Sequence, residues 1–308
     1  MYRILKASLI LWGILLVPCG HAFPQNYMNV LNLRYYIQPG ITMKDTSVSM
    51  SAYEYRFEAA IPLELKNDNI VGLKPQFKSI ALTGDDLSSK DLKIYSVKIP
   101  VFAFIKWGDS KWSTYIDISP KLNSDFRNIS GRHFQIGAMT INYYERKKDF
   151  FWQFGIFYNQ DTYGPFIMPL AGFDWKIDEL NYINILLPAY AIYERRLATK
   201  LYTGFEIELS GETYRMGGSV YENSFISQLG EQKMTFLTEP RLFLDYYVAK
   251  HWVLYAKPGI RLFQKYEHYT EADERIHDSG YLEGILKNNF YIELGLAMRF
   301  RYDEADEL

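Results

Sequence analysis

From Tyr53 to Leu65 every odd position is apolar or aromatic (Tyr53, Tyr55, Phe57, Ala59, Ile61, Leu63, Leu65), while Glu54, Arg56, Glu58 and Glu64 stand among the even ones. Successive side chains of a strand point to opposite faces, so this run predicts a strand with one greasy and one charged side. The pattern returns near the C-terminus. There Phe290, Ile292, Leu294, Leu296, Met298, Phe300 and Tyr302 alternate with Tyr291, Glu293, Gly295, Ala297, Arg299 and Arg301. Each run has 13 residues, long for a strand of a globular domain. Less regular alternation runs through Val97 to Trp107, Leu201 to Ser210 and Trp252 to Lys265, again with charges on one face. Helical spacing fits none of these, and the Gly and β-branched residues within them favour strands.

Polar turns separate the runs at 66–69, 108–111, 147–149, 178–181 and 249–251, and longer polar loops cover 83–92, 125–133, 217–232 and 268–287. The predicted strands are 28–43, 49–65, 70–82, 93–107, 112–124, 134–146, 150–159, 166–177, 182–194, 199–216, 233–248, 252–267 and 288–302. A closed bacterial barrel takes an even number. The odd count therefore means either that the first run is a lead-in, leaving twelve, or that one strand is missed, making fourteen. The rhythm of short and long loops slips near Arg195 to Lys200, which places a missed strand between 166 and 232.

Composition sharpens the choice of fold. The chain of 308 residues is 48% hydrophobic and 17% aromatic, yet its mean hydropathy is -0.20. Averaging a lipid-facing and a charged face gives such a value, whereas a bundle of membrane helices would be clearly positive. In lipid every backbone group must be paired within the protein, which a sheet achieves only by closing on itself. Aromatics belong at the membrane boundary of such a barrel, and Trp107, Trp112, Phe150, Trp152 and Trp252 flank the short turns. The expectation is an all-β fold, a closed antiparallel transmembrane β-barrel of 12 to 14 strands, in preference to a secreted β-sandwich with shorter strands.

The N-terminus reads as an address. Arg3 and Lys6 precede the apolar stretch Ala7 to Val17, and Gly20-His21-Ala22 supplies a small-x-small cleavage pattern, so residues 1–22 are expected to be a cleaved signal peptide. Residues 23–48 are then a lead-in or first strand, 49–302 the barrel, and 303–308 an acidic tail. Cys19 is the one cysteine, and Pro18 before it fits a lipoprotein signal poorly; disulfides and Cys-based metal sites are excluded. A net charge of -2 speaks against a nucleic-acid partner.

The aromatic-rich last strand, Phe290 to Tyr302, looks like the C-terminal recognition strand of Gram-negative outer-membrane β-barrel proteins, although Asp303 to Leu308 follow it. Phe154 to Tyr158, Pro169 to Gly172 and Leu187-Pro188 resemble an uncharacterised family of small outer-membrane barrels known only as a domain of unknown function. The resemblance implies an outer-membrane location, a porin-like architecture, insertion by the barrel-assembly machinery, and contact with outer-membrane lipids and lipopolysaccharide. It implies no cofactor.

The even-position charges are the candidate functional groups. Glu54, Arg56, Glu58, Glu206, Glu208, Arg241, Lys257, Arg261, Glu293, Arg299 and Arg301, with Glu64, Asp117, Lys121 and Asp245, are expected to face the lumen. They would either pair and rigidify it or line a narrow pore. Because first and last strands meet at closure, Glu54, Arg56 and Glu58 are expected near Glu293, Arg299 and Arg301. A channel or passive transporter for small polar solutes is the leading expectation. A closed structural or adhesion barrel acting through loops 217–232 and 268–287 is the alternative, and an outer-membrane lipid hydrolase a distant one. Of His133, His251, His268 and His277 only His277 has a serine two residues on, Ser279, and it falls in a loop, so no catalytic residue is expected. Glu271, Asp273, Glu274, His277 and Asp278 are read as a solvated cluster rather than a metal site, and Asp85 and Asp86 carry less still. The glycosylation-like Asn128-Ile129-Ser130 and the retention-like tail Ala305 to Leu308 are coincidences in such a protein.

Overall fold

The computed structural model describes residues 27–42, 49–84, 92–127, 129–161, 164–215, 231–262, 265–269, 284–285 and 289–301. The signal-peptide and Cys19 readings, Asp85 and Asp86, Asn128, the acidic cluster with His277, most of loop 217–232 and the tail lie outside these residues.

All the described strands belong to one sheet. Its ladder segments join into fourteen spanning strands. They are β1 (Tyr27–Thr42), β2 (Ser49–Ala59 with Ile61–Glu64), β3 (Ile70–Leu73 with Gln76–Gly84), β4 (Leu92–Lys98 with Val101–Lys106), β5 (Trp112–Ser124), β6 (Phe134–Lys147) and β7 (Phe150–Asp161). The circuit continues with β8 (Gly164–Lys176), β9 (Asn181–Leu187), β10 (Tyr190–Ala198), β11 (Leu201–Arg215), β12 (Glu231–Ala249), β13 (Trp252–Arg261 with Lys265–Tyr269) and β14 (Gly284–Ile285 with Asn289–Arg301). Each pairs antiparallel with the next, and β1 pairs with β14 from Tyr27↔Arg301 to Ile37↔Ile292, which closes the barrel.

The run at 28–43 is thus a full wall strand, held by both β2 and β14. The missed strand arises at 188–189. The single run expected over 182–194 is broken there, and β9 turns back on itself as β10, pairing from Asn181↔Arg195 to Leu186↔Tyr190. Alternation could not reveal the break because its phase survives the turn: Tyr182 and Leu186 before it and Glu194 after it are all buried, and all even-numbered.

The outer wall carries the apolar positions. Tyr55, Phe57, Ile61 and Leu63 on β2, Leu242, Leu244 and Tyr246 on β12, and Phe290, Ile292 and Leu294 on β14 are all exposed. Trp107, Trp112 and Trp252 ring the end with the short turns, and Trp112 packs against Tyr144 with ring centroids 4.9 Å apart. This end also holds Tyr27 and Arg301, the outermost described residues of β1 and β14.

Inside, four large rings lie flat across a glycine on the neighbouring strand: Phe102 over Gly72, Phe243 over Gly204, Tyr291 over Gly259 and Tyr255 over Gly295. Each pair is directly opposite in the ladder, so the missing side chain provides the seat for the ring. At Gly295 an added Cβ would stand 2.1 Å from the Tyr255 ring.

Candidate functional site in the barrel lumen

Side chains of strands that are not neighbours can meet only through the interior, and such contacts define the site. Arg34 on β1 pairs with Glu58 on β2 and approaches Glu293 on β14 at 4.0 Å. Glu293 in turn lies 3.8 Å from Arg241 on β12, whose guanidinium also contacts Glu206, Glu208 (2.6 Å) and Glu239 (3.5 Å). Lys257 on β13 reaches over to Glu206 at 3.0 Å, and Arg261 holds Glu239 at 2.6 Å and Gln38 at 2.8 Å. One connected network therefore spans β11, β12, β13, β14, β1 and β2.

Toward the turn end two further pairs lie below it. Arg299 binds Asp245, donates from Nε to Asn29 Oδ1 at 2.8 Å, and sits 3.8 Å from the Tyr27 ring centroid. Arg301 binds Glu194 on β10 and stacks 3.7 Å from the Tyr202 ring centroid. Arg56 pairs with Glu54 on its own strand. Each of the eleven leading candidate residues thus has a described ion-pair partner. Glu64 departs from the expectation of a lumen position: it is exposed at the turn end, beyond the height where the barrel encloses its even face. Asp117 and Lys121 on β5 are buried; Lys121 donates to Asn159 Oδ1 at 2.8 Å.

The expected approach of Glu54, Arg56 and Glu58 to the last strand takes a specific form. β1 lies between β2 and β14, so Glu58 and Glu293 meet through Arg34 rather than directly. Arg34 had the signal that would have found it, since Asn32, Arg34, Tyr36 and Gln38 alternate with apolar Leu31, Leu33, Tyr35 and Ile37.

The expectation of a charged inner face throughout needs correction. Ile70, Phe102, Phe104, Ile141, Tyr143, Leu170 and Leu186, on β3, β4, β6, β8 and β9, form a buried apolar cluster, joined by partly buried Met139, Phe157, Met168 and Tyr190. The interior is thus two-sided. One arc is charged, and the opposite arc is filled as an ordinary core is filled. Polar groups border that core: Asp174 accepts from the Tyr182 hydroxyl and, at 3.0 Å, from Asn184 Nδ2, and Gln153 Nε2 donates to Asn184 Oδ1 at 3.2 Å.

Residues 34–299 match the family described as a domain of unknown function, DUF6268. The chain belongs to that family. No curated protein matches its sequence. Among solved structures, an outer membrane channel from Pseudomonas putida F1 is similar at 8% identity and a TM-score of 0.44, covering 89% of this chain and 95% of the channel. The NanC porin is similar at 13% and 0.39, covering 87% and 98%. The P. putida toluene transporter TodX is similar at 8% and 0.39, covering 91% of each. At these identities the likeness is one of architecture alone.

In this DUF6268 chain the upper end of β11 leaves the wall. β10 pairs with β11 only as far as Tyr190↔Glu208, because the β9–β10 hairpin is short. Past a register shift between Ser210 and Glu212, β11 crosses the lumen in the company of β12 and makes a parallel bridge to β5 at Arg215↔Ser124. Thr213, Tyr214 and Arg215 are consecutive and all buried, so both faces of the strand are covered. Asn123 Nδ2 donates to the Thr213 carbonyl at 2.9 Å and Gln135 Nε2 to Thr213 Oγ1 at 2.9 Å. Glu212 reaches the far wall, where it binds Lys78 on β3 and Lys98 on β4, the latter at 2.6 Å. Lys98 stands out in the sequence as a polar even position, but nothing in a list of strands shows that Glu212 would meet it from the opposite side of the barrel.

The described loop residues offer no catalytic arrangement. His133 is buried, and its Nδ1 accepts the Ser130 backbone N–H at 3.0 Å with Ser130 Oγ at 3.1 Å, a local cap rather than a charge relay. Burial pushes the His133 imidazole below its ordinary range. Among the described residues no three His, Cys, Asp or Glu side chains gather as metal ligands.

Proposed function

We propose that this barrel is an outer-membrane conduit for small polar solutes that rests in a closed state. The observation that carries the reading is the charged arc itself, which runs from Arg301 and Glu194 at the turn end past mid-height to Arg261 and Glu239. Burying ion pairs costs desolvation, and apolar side chains of similar volume are often as stable or more so. The opposite arc adopts that apolar solution. A wall that gathers most of its buried ion pairs on one arc, with only scattered charges such as Lys78, Lys98, Asp117 and Lys121 elsewhere, is a wall built to meet a polar occupant. The turn end faces the periplasm, since bacterial barrels keep their short turns there. Assembly by the barrel-assembly machinery and contact with lipopolysaccharide belong to the same reading.

Burial of the charged groups supports the closed state. Glu206, Asp245, Glu293 and Arg299 are each 5% exposed or less, which a wide aqueous bore would not allow. This burial also favours the second reading, a permanently closed structural or adhesion barrel. Purified protein in planar bilayers separates the two. Unitary conductance that changes in Glu54→Ala or Arg299→Ala supports the conduit. Silence both without and with added small polar solutes such as succinate, from protein that still shows the heat-dependent gel shift of a folded barrel, rejects it in favour of the closed barrel.

A further inference from the structure

We infer that Glu212 is an internal stand-in for a small carboxylate solute, and that such a solute opens the lumen by displacing Glu212 from Lys78 and Lys98. The inference deepens the conduit reading and rests on it for the opening step. The binding step stands on the residues alone.

Glu212 arrives from the opposite wall. Its carboxylate is held by the Lys78 and Lys98 ammonium groups and by the Tyr214 hydroxyl, and the Tyr214 ring lies 5.4 Å from Lys78 Nζ. Beside it is a cavity of about 40 Å³, lined by Arg56, Glu58, Gln76, Phe77, Lys78, Ser96, Lys98 and Glu212, with room for a water or so. The lining is rich in donors that suit an anion: two ammoniums, a guanidinium, an amide and a hydroxyl. Glu212 is a carboxylate partner shared by both lysines, while Arg56 is paired with Glu54 and Glu58 with Arg34. Withdrawing it enlarges the pocket and vacates a position held by two ammoniums and the Tyr214 hydroxyl, and the occupant that reproduces those contacts is another carboxylate.

The mechanical side follows from the strand. Beyond Glu208, β11 has lost β10, and the attachments of its crossing segment to the far wall include the ion pairs of Glu212, three hydrogen bonds to Thr213 and the bridge at Arg215. The ion pairs are the part of that attachment that a solute's charge can replace. A solute that takes the lysines removes the attachment by competition, the form in which a ligand shifts a two-state element toward the state it binds better.

The test titrates succinate into the detergent-purified full chain by calorimetry, comparing the unaltered protein with Glu212→Gln, Lys78→Met and Lys98→Met. Removing the internal competitor is expected to tighten succinate binding at least tenfold in Glu212→Gln, and either lysine variant is expected to lose it. The same Glu212→Gln protein in planar bilayers is expected to stay open for a larger fraction of time than the unaltered protein. Equal succinate affinity in the unaltered and Glu212→Gln proteins, or undiminished affinity in both lysine variants, overturns the inference. If affinities shift as stated and no variant conducts, the conduit reading falls and the carboxylate site stands.

Discussion

Among the described residues Arg299 and Asp245 are the most enclosed ion pair of the lumen, with both side chains 2% exposed. Arg299→Met removes the guanidinium, keeps most of the volume, and leaves Asp245 facing a dry interior. Breaking a buried pair from one side costs about 3–5 kcal/mol. Asn29 Oδ1 loses its 2.8 Å donor as well, and an unsatisfied buried acceptor adds about 1–3 kcal/mol. Asp245→Leu strands Arg299 in the same way and is expected to cost about 3–5 kcal/mol. The double variant Arg299→Met/Asp245→Leu removes both charges, and its net cost should be below about 2 kcal/mol because a well-packed apolar pair replaces the ions. The coupling between the sites is then about 3 kcal/mol or more, and it is read from equilibrium urea unfolding of the barrel in detergent followed by tryptophan fluorescence. If each single variant costs less than about 1 kcal/mol and the two effects add, water reaches the pair and the interior is wet at this level. That outcome would refute the closed lumen on which the functional reading depends.

Three further outcomes follow from the same geometry. Phe102→Ala should cost about 3–5 kcal/mol in the same urea titration, because the ring is buried among the apolar cluster and its seat on Gly72 would be left empty; a loss under about 1 kcal/mol would mean that the cluster is loosely filled. Gly295→Val should abolish the heat-dependent mobility of the folded barrel on detergent gels, since a Cβ there meets the Tyr255 ring at 2.1 Å and displaces a hydroxyl that donates to Asn32 at 2.7 Å; unchanged mobility and stability would show that the ring is free to move. The His133 imidazole is held below its unfolded value of about 6.5, so its contribution is fully present above that pH and lost as pH falls through the window beneath it. Unfolding midpoints of the native protein should therefore drop more steeply between neutral pH and about pH 5 than those of His133→Gln, and parallel curves would remove His133 as the cause.

Much of the barrel is legible because its walls are two-sided at each residue. Lipid on one face and a packed lumen on the other force alternation, and β2 and β14 keep it over long runs, with Tyr55 and Phe57 out against Glu54 in, and Ile292 and Leu294 out against Glu293 in. The turn at Pro188 and Ala189 escaped because the reversal sets Leu186 opposite Tyr190, an even separation that preserves that phase, so a hairpin of two short strands looks like one long strand. The apolar arc escaped for a different reason. Phe102 and Phe104 stand at the even positions of β4 beside Lys98 and Lys106, and a face that holds both phenylalanine and lysine does not say which of them sets its surroundings. Pairings across the lumen, such as Arg301 with Glu194 and Lys98 with Glu212, depend on barrel circumference and strand tilt, which no single strand's pattern carries.

The short β9–β10 hairpin links these features. A barrel wall of uniform height would have paired β11 along its whole length and kept it upright. Here the hairpin stops at Leu187 and Tyr190, leaving the upper edge of β11 with backbone groups that cannot remain unpaired beside lipid. Turning inward resolves this, because the far end finds partners on β5 and β6 and its polar side chains find the lysines of β3 and β4. The inward turn also decides what the lumen is. A fourteen-strand circuit is wide enough to hold water, and this one is closed at its upper level by a strand anchored on charge. Lengthening the β9–β10 hairpin by two residue pairs would give β11 a partner at the wall and take away its reason to cross. The lumen would then stay open without any solute, a conductance increase that the closed barrel does not predict.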